Sequence, residues 1–490
     1  MVLLCVVIFL KVISVIYPSF SITEINPSFV LKDNWKVDIY IKTKSYRFFM
    51  SIFALATAPA TSGLAVIRVS GKEALKVAKT LTKSKKIKAR MANFSSFYDH
   101  KNQIIDKGIF IFFPKPNSYT GDDVVEFHIH GSNAVIKYFL KTLSNFKNCR
   151  LAKPGEFTKT ALLNKKINLL QAESLIDLIN SETELQRIQA LKVMNEDTTK
   201  IYTGLRDEMI KILSDYEAVI DFSDDEVGDN VFSNNRDKLL KINDKIRQII
   251  LNGENSEKIR EGFKVSIIGP TNSGKSSLIN CLANRQVSIV SNIPGTTRDL
   301  IETTIMLNGK LVRFFDTAGL RNSKNIIEKK GILLTNKNLK DSDLKLIIFD
   351  HTKKINKKVL KLFDIKSILV LNKIDIKSSN KFLENKIYKP IRISVKKNVG
   401  INNLVKTIST KIDEYFKVNV DNIISRQRHA KSLENAVFFI QRCLNKKSID
   451  QIDLAAEDLR LAVRNLGEIV GYVNVEELLD RIFKDFCIGK

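Results

Sequence analysis

The chain has 490 residues, 44% hydrophobic and 27% charged, the balance of a globular protein of about two to four domains, which excludes a disordered or fibrous polymer. Lysine and arginine exceed aspartate and glutamate by 79 to 53, a net charge of +26. Such an excess favours an anionic partner such as RNA, and the Lys-, Asn- and Ile-rich usage of an AT-rich genome produces it too. Five cysteines (Cys5, Cys149, Cys281, Cys443, Cys487) are scattered without a C-x-x-C pair, which argues against a disulfide framework or zinc site and fits a reducing compartment.

Residues 1–20 are largely apolar, with Lys11 interrupting the run and no basic stretch ahead of it. For residues 1–49 three readings stand: a start codon assigned upstream of Met50, an organelle-targeting extension, or a membrane anchor. Residues 50–166 read as a compact α+β domain. Strands are expected at 63–69 and 108–113. At 124–130 the alternation sets Val125, Phe127 and Ile129 on one side and Glu126, His128 and His130 on the other. The second face suits either a metal or the ordinary polar side of a strand, and no further ligand is apparent.

From 167 to 261 the pattern turns helical. Leu170, Ser174, Leu175, Leu178 and Ile179 recur at helical spacing, as do Ile212, Tyr216, Val219 and Ile220. The acidic stretch 221–226 reads as a solvated interhelical loop rather than a metal site.

Residues 262–418 carry the chemistry. An apolar run (Phe263, Val265, Ile267, Ile268) leads into G-P-T-N-S-G-K-S at 269–276. That spacing lets loop N–H groups from Gly269, Ser273, Gly274 and Ser277 wrap a polyphosphate, with Lys275 reaching its β and γ phosphates and Ser276 binding Mg²⁺. Asp316 ends a further apolar run and is placed to hold Mg²⁺ through water, with the Gly319 N–H meeting the γ-phosphate. A third strand ends in Asn372-Lys373-Ile374-Asp375. The Asp375 carboxylate can accept from both N1–H and the exocyclic amine of guanine, a pair adenine does not offer, and Ser394 would close over the base. Alternating strands and helices predict a doubly wound parallel sheet with the nucleotide at its carboxyl edge, hence a GTPase. Leu320 stands where Ras-like enzymes carry a water-orienting glutamine. Asn272 is either a contributor to a monovalent-cation site or a loop residue tolerant of unusual dihedrals.

Beyond about residue 418 helical periodicity resumes. Ala455, Leu459, Ala462, Val463, Leu466 and Ile469 share a face, and the two helical segments are expected to pack as one domain with the GTPase inserted. Cys487 lies fourth from the end, but Gly489 and Lys490 do not fit a prenylation signal. A buried small hydrophobe is the ordinary role of such a cysteine.

These motifs, with P-G-T-T-R-D at 294–299, D-T-A-G-L-R at 316–321, N-S-Y-T-G-D-D at 117–123, P-G-E-F-T at 154–158 and the terminal C-I-G-K, make the chain resemble the MnmE (TrmE) family of tRNA-modification GTPases over about residues 50–490. The resemblance implies a fold of three parts: an N-terminal folate-binding-like α+β domain (50–166), a discontinuous helical domain (167–261 and 419–490) and an inserted Ras-like P-loop G domain (262–418). It implies potassium-stimulated hydrolysis, with Asn272 helping to bind K⁺, Thr297 contacting Mg²⁺ and Glu328 positioning water. Without it, Glu328 reads as part of a solvated helix face. A tetrahydrofolate derivative such as 5,10-methylenetetrahydrofolate would bind the first domain, with Arg68 pairing a folate carboxylate and Tyr119 and Glu156 as further contacts. The family's tail, here Cys487 and Lys490, lies near the modification site. Departures at 59–63 and Ser132 put the pocket's detailed shape in question.

By the same likeness the protein is a cytoplasmic bacterial homodimer, or mitochondrial or plastid if residues 1–49 are a targeting segment, with no stable membrane association. It would work with an FAD- and NADH-using partner (MnmG, or GidA) on the wobble uridine of tRNA. The alternative is a regulatory or ribosome-assembly GTPase with RNA- or protein-binding flanks.

Overall fold

The computed structural model describes residues 50–221, 231–253, 256–285, 302–316, 342–377, 389–416, 424–446, 448–472 and 489. The N-terminal part runs β1 (Ser51–Leu55), β2 (Ser62–Ser70), α1 (Ala74–Thr82), β3 (Asn93–Tyr98), β4 (Ile104–Phe113), β5 (Val124–Gly131), α2 (Asn133–Ser144), β6 (Cys149–Leu151) and α3 (Glu156–Leu163). Its six strands order as β3-β4-β5-β2-β1-β6, antiparallel except for β1 with β6. The expected alternation in β5 is present: Val125, Phe127 and Ile129 are buried under α1 and α2, where Phe97 meets Phe127 edge-on at 5.5 Å. On the opposite face Phe157 of α3 packs on Ile52 and Ala54. Farther along, the cross-strand pair Phe94 and Ile109 stays 76% and 39% exposed.

The chain then turns helical through α4 (Leu169–Ile179), α5 (Glu184–Met194), α6 (Glu196–Asp221), α7 (Val231–Gly253) and α8 (Ser256–Glu261). Asn168 and Thr183 open α4 and α5 with reciprocal capping boxes to Gln171 and Gln186. In α6 the expected face is buried (Ile212, Tyr216, Val219). In α4 the buried side is turned relative to expectation: it takes Leu169, Ala172, Glu173 and Ile176 beside Leu170 and Ser174, and Ile179 is 36% exposed. The physical reason is polar, since Glu173 meets cations from a later helix. Of the acidic stretch only Asp221 lies among the described residues.

The inserted part contains β7 (Phe263–Ile268), α9 (Lys275–Arg285), β8 (Glu302–Leu307), β9 (Lys310–Asp316), β10 (Leu344–Asp350), α10 (Lys357–Leu360), β11 (Ser367–Asn372), β12 (Ile391–Arg392) and α11 (Ile401–Phe416). Strand order is β12-β11-β10-β7-β9-β8, parallel except for β8 against β9. Helices cover both faces of the sheet: Leu278 and Leu282 of α9 and Leu404 and Ile408 of α11 join the main core with Ile368 and Val370, while Val359 and Leu360 of α10 pack on Leu369 and Leu371, which is why β11 is buried along its whole length. Because β7 sits between β10 and β9, chain order reverses there, and the crevice beyond its carboxyl end is where open α/β sheets bind ligands.

Finally α12 (Gln427–Leu444) and α13 (Ile452–Val470) return to the first helical segment. Leu433, Ile440, Leu459 and Leu466 share one core with Met209, Tyr216, Leu239 and Ile242. The helical domain is thus discontinuous, with the G domain inserted, and the face predicted for α13 is the one buried. No helix among the described residues is long and apolar enough to cross a membrane.

Candidate functional site

The loop after β7 is fixed by positions that exclude a side chain. A Cβ on Gly269 would lie 2.3 Å from the Ile348 carbonyl oxygen, and one on Gly274 (φ +97°) 2.2 Å from Asn372 Nδ2. Asn272 also takes a left-handed φ of 63°, a conformation Asn tolerates better than most residues. Buried Lys275 donates to the loop's own carbonyls at Gly269 (3.0 Å) and Pro270 (2.9 Å). Among the described residues the fully buried Ser273 hydroxyl has no partner. A cation folded back on carbonyls together with an orphaned hydroxyl is what an anion-binding cradle offers, so the residues fit a polyphosphate. Ser276 and Ser277 are exposed in the first turn of α9.

The base motif is tied into this loop. Buried Asn372, the last residue of β11, donates through Nδ2 to the Ser273 carbonyl (2.9 Å) and accepts from the Val395 N–H (3.2 Å). Lys373 donates to the Asn272 carbonyl (2.8 Å) and pairs with Asp350 (2.7 Å). Burial pushes the Asp350 carboxyl up, but bonds from Lys373 and Thr352 outweigh it and hold it below the usual range. Exposed Asp375 accepts from the Ser394 hydroxyl (2.5 Å). That bond, helped by Lys396 and Lys397, keeps its carboxyl ionised below the ordinary range. Ser394 is itself fixed by backbone bonds with Val399 and by the Lys397 N–H. Asp375 thus presents a fixed carboxylate to solvent beside the phosphate loop. Asp316 ends β9 opposite Ile267 of β7.

A second cluster lies on the outer face of the N-terminal sheet. Arg68 of β2 gives Nε and Nη2 to Glu126 of β5 (both 2.8 Å), and its guanidinium lies 5.3 Å from the Tyr119 ring and 5.6 Å from that of Phe157. Its Nη1 points to the carbonyl of Gly489 at 3.5 Å. Tyr119 bonds Thr158 (2.8 Å), and burial raises its phenol. Arg68 and Tyr119 are therefore brought together. Glu156 is engaged elsewhere, in a bidentate pair with Arg150 and a bond from the Lys153 N–H, which overcome burial to lower its carboxyl. Of the β5 polar face, Glu126 faces Arg68 and His130 faces Asp106.

Thr297, Gly319, Glu328, Cys487 and Lys490 lie outside the described residues. Unanticipated was a buried ion cluster in the helical domain. Glu173 of α4 binds Arg428 (2.8 Å) and His429 (2.8 Å) of α12, and Asp177 binds Arg426 (2.8 Å). The readable signal was R-Q-R-H at 426–429, at the return from the G domain, opposite a glutamate in phase with Leu170.

The reversed strand order, the glycine-built phosphate loop and the carboxylate of the base motif together define a P-loop GTPase of the guanine-binding kind. Residues 51–166 match the family profile described as GTP-binding protein TrmE N-terminus, and residues 169–487 that of the MnmE helical domain. The tRNA modification GTPase MnmE of Pelagibacter ubique is 48% identical over 443 residues, 90% of this chain and 100% of the relative. Those of Rickettsia prowazekii and Ehrlichia chaffeensis are 39% and 40% identical, each again over 90% of this chain and 100% of theirs. The chain belongs to the MnmE family.

Proposed function

We propose that this GTPase, working with an FAD- and NADH-using partner of the MnmG (GidA) type, adds an aminomethyl-type group to C5 of the wobble uridine (U34) of certain tRNAs. A methylenetetrahydrofolate supplies the carbon, and glycine or ammonium the amine. The observation that carries this reading is the place of Gly489 of the C-I-G-K tail: its carbonyl lies 3.5 Å from Arg68 Nη1, in the Arg68–Tyr119 cluster. There the half-buried Tyr119 offers a ring face to a fused ring and Arg68 a fork for a carboxylate, in competition with Glu126, while buried Phe157 backs the cluster from the core. Cys487 and Lys490 belong to that same tail and are assigned to the modification site with it.

In the G domain, Lys275 and the loop amides hold the phosphates, and Ser276 and Thr297 hold Mg²⁺. Asn272 contributes to a K⁺ site, and the ion supplies positive charge to the transition state. Glu328 positions the attacking water. The protein acts in the cytoplasm as a homodimer, for which the exposed Phe94–Ile109 pair on the open sheet face is the natural contact. Nucleotide state moves the G domains between apposed and separate arrangements, and the helical domain carries that change to the N-terminal sites.

The direct test is mass spectrometry of wobble nucleosides from cells lacking the gene, with and without its restoration; unmodified U34 that reverts on restoration is expected, and an unchanged profile refutes the reading. Titration with a reduced folate separates it from a purely regulatory GTPase, which has no need of such a pocket. For the cation, Asn272→Ala is expected to remove most of the rate difference between K⁺ and Na⁺ buffers while retaining GTP binding. Initial rates in the two salts check this, and an undiminished difference would remove Asn272 from the site.

A further inference from the structure

Helix α1 is amphipathic in an extreme way. One side buries Ala74, Val77, Ala78 and Leu81; the other carries Lys76 and Lys79, with Lys72 just before the helix and Lys83 at its end, all exposed. Lys83 takes the left-handed conformation (φ 55°) that stops the helix, and its ammonium lies 3.8 Å from the centre of the Tyr98 ring. The chain then returns along the sheet edge, where Ala89 bridges Phe112, bringing exposed Lys85, Lys86, Lys88 and Arg90 to the same region. A groove of about 600 Å³ runs along α1 and the turn that follows it, lined by Lys72, Lys76, Lys79, Lys83 and Lys85.

Few carboxylates offset them. Glu73 is the sole acidic residue in 72–90, and it pairs with Lys76 at 3.4 Å. Asp123, at the groove's edge, accepts from the Lys115 N–H. Mixed signs are the rule on a surface that only needs solubility, and a compositional bias toward lysine spreads cations without gathering them along one groove.

We infer that this groove, formed by α1 and the turn 83–85, is where the phosphate backbone of the tRNA docks. The inference rests on the proposed tRNA function and deepens it by assigning the surface. Lysines one helical turn apart form a row of point charges that can follow successive phosphates without reading sequence. The Tyr98 ring beside Lys83 adds an aromatic surface of the kind nucleic-acid grooves use. An anionic membrane is a poorer match, because α1 presents Lys and Thr to solvent and its one apolar side chain in the groove, Leu75, is half-buried against the core rather than free to insert between lipids.

The test is equilibrium binding of fluorescent tRNA to the full chain across a KCl series. The comparison uses Lys72, Lys76, Lys79 and Lys85, all lining the groove, changed together to Ala, leaving Lys83 because its backbone conformation is strained for Ala. Four lost phosphate contacts should flatten the slope of log affinity against log salt by about 3 and weaken binding on the order of tenfold or more at 0.1 M salt. GTP hydrolysis without RNA should be unchanged. A matched control alters Lys353, Lys354, Lys357 and Lys358, exposed on the G domain, and should retain the wild-type slope.

The assignment is overturned if the groove variant keeps the wild-type slope and affinity, or if the control loses as much. It is also overturned if the groove lysines govern sedimentation with phosphatidylserine vesicles but not tRNA binding. In each of those cases a wild-type protein that binds tRNA leaves the tRNA function standing. A wild-type chain that binds no tRNA at any salt removes both.

Discussion

Changing Asp375 to Asn is expected to exchange guanine for xanthine as the preferred base. The carboxylate offers two acceptor oxygens and no donor; one takes the Ser394 hydroxyl at 2.5 Å, and the group still has lone pairs for N1–H and the exocyclic amine. An amide at this position turns one acceptor into a donor, which opposes the guanine amine and complements the carbonyl that xanthine carries instead. Losing a charge-assisted bidentate contact and leaving polar groups mismatched should reduce GTP affinity about a hundredfold or more. XTP affinity should rise in step. The loop itself should survive, because the Asn side-chain oxygen can still accept from Ser394, and Asn372 holds the phosphate loop independently through the Ser273 carbonyl. Competition of GTP, XTP and ATP against a fluorescent guanine nucleotide reads the swap directly. A variant that still prefers GTP as the wild type does would show that Asp375 does not face the base.

The parts of this protein legible in its sequence were those where one physical requirement leaves few residue choices. Gly269 and Gly274 stand where a Cβ would strike a carbonyl oxygen or an amide, so the loop announces itself by composition. Val125, Phe127 and Ile129 alternate because a sheet covered on one side demands it, and Leu459, Ala462 and Leu466 repeat because α13 lies against α6 and α12. Contacts between distant segments left no such trace. Arg68 reads as a ligand-binding fork, yet its partners are Glu126 in the same sheet and the carbonyl of Gly489, a pairing across most of the chain's length. Glu156, singled out from its motif, spends both oxygens on Arg150. In α4 the expected stripe holds at Leu170 and Ser174 but misses Glu173, which shares the buried side and whose compensation comes from residues some 250 positions later. Periodicity registers burial of hydrocarbon; it is silent about a carboxylate that is buried because cations meet it.

Changing Glu173 to Gln should therefore be the most damaging single substitution in the helical domain that leaves shape almost unaltered. Arg428 donates to both Glu173 oxygens (3.2 and 2.8 Å) and to the carbonyls of Glu468 and Ile469, while the Arg426 Nε is buried 3.8 Å from the carboxylate. Burial by itself would raise the Glu173 carboxyl. The His429 bond and the guanidiniums overcome it and hold the group at about 2 against an ordinary 4.5. Fully buried His429 is pushed below the usual imidazole range, so near neutrality it is uncharged. Its contact with Glu173 is then a hydrogen bond from Nε2–H rather than an ion pair, and the countercharge is the guanidiniums. A neutral amide leaves those cations buried without it, which should lower stability by about 3 kcal/mol, read as a shifted denaturant midpoint of the helical transition. The linkage has a definite sign. A carboxyl whose folded pKa is depressed stabilises above its unfolded value of about 4.5 and loses that contribution as pH falls toward 2, and an imidazole buried neutral adds loss in the same direction. The wild type should shed stability steeply below pH 4.5, and the Gln variant less steeply over that range. Because Arg426 follows the G domain and Arg260 of α8, which donates to the Ser425 carbonyl (2.9 Å), precedes it, the cluster clasps both stems of the insert to α4. Domain coupling should then weaken while GTP affinity stays within about twofold, since none of these groups touches the phosphate loop or the base motif. A Gln variant with the wild-type midpoint and a parallel acid limb would show the cluster to be energetically idle.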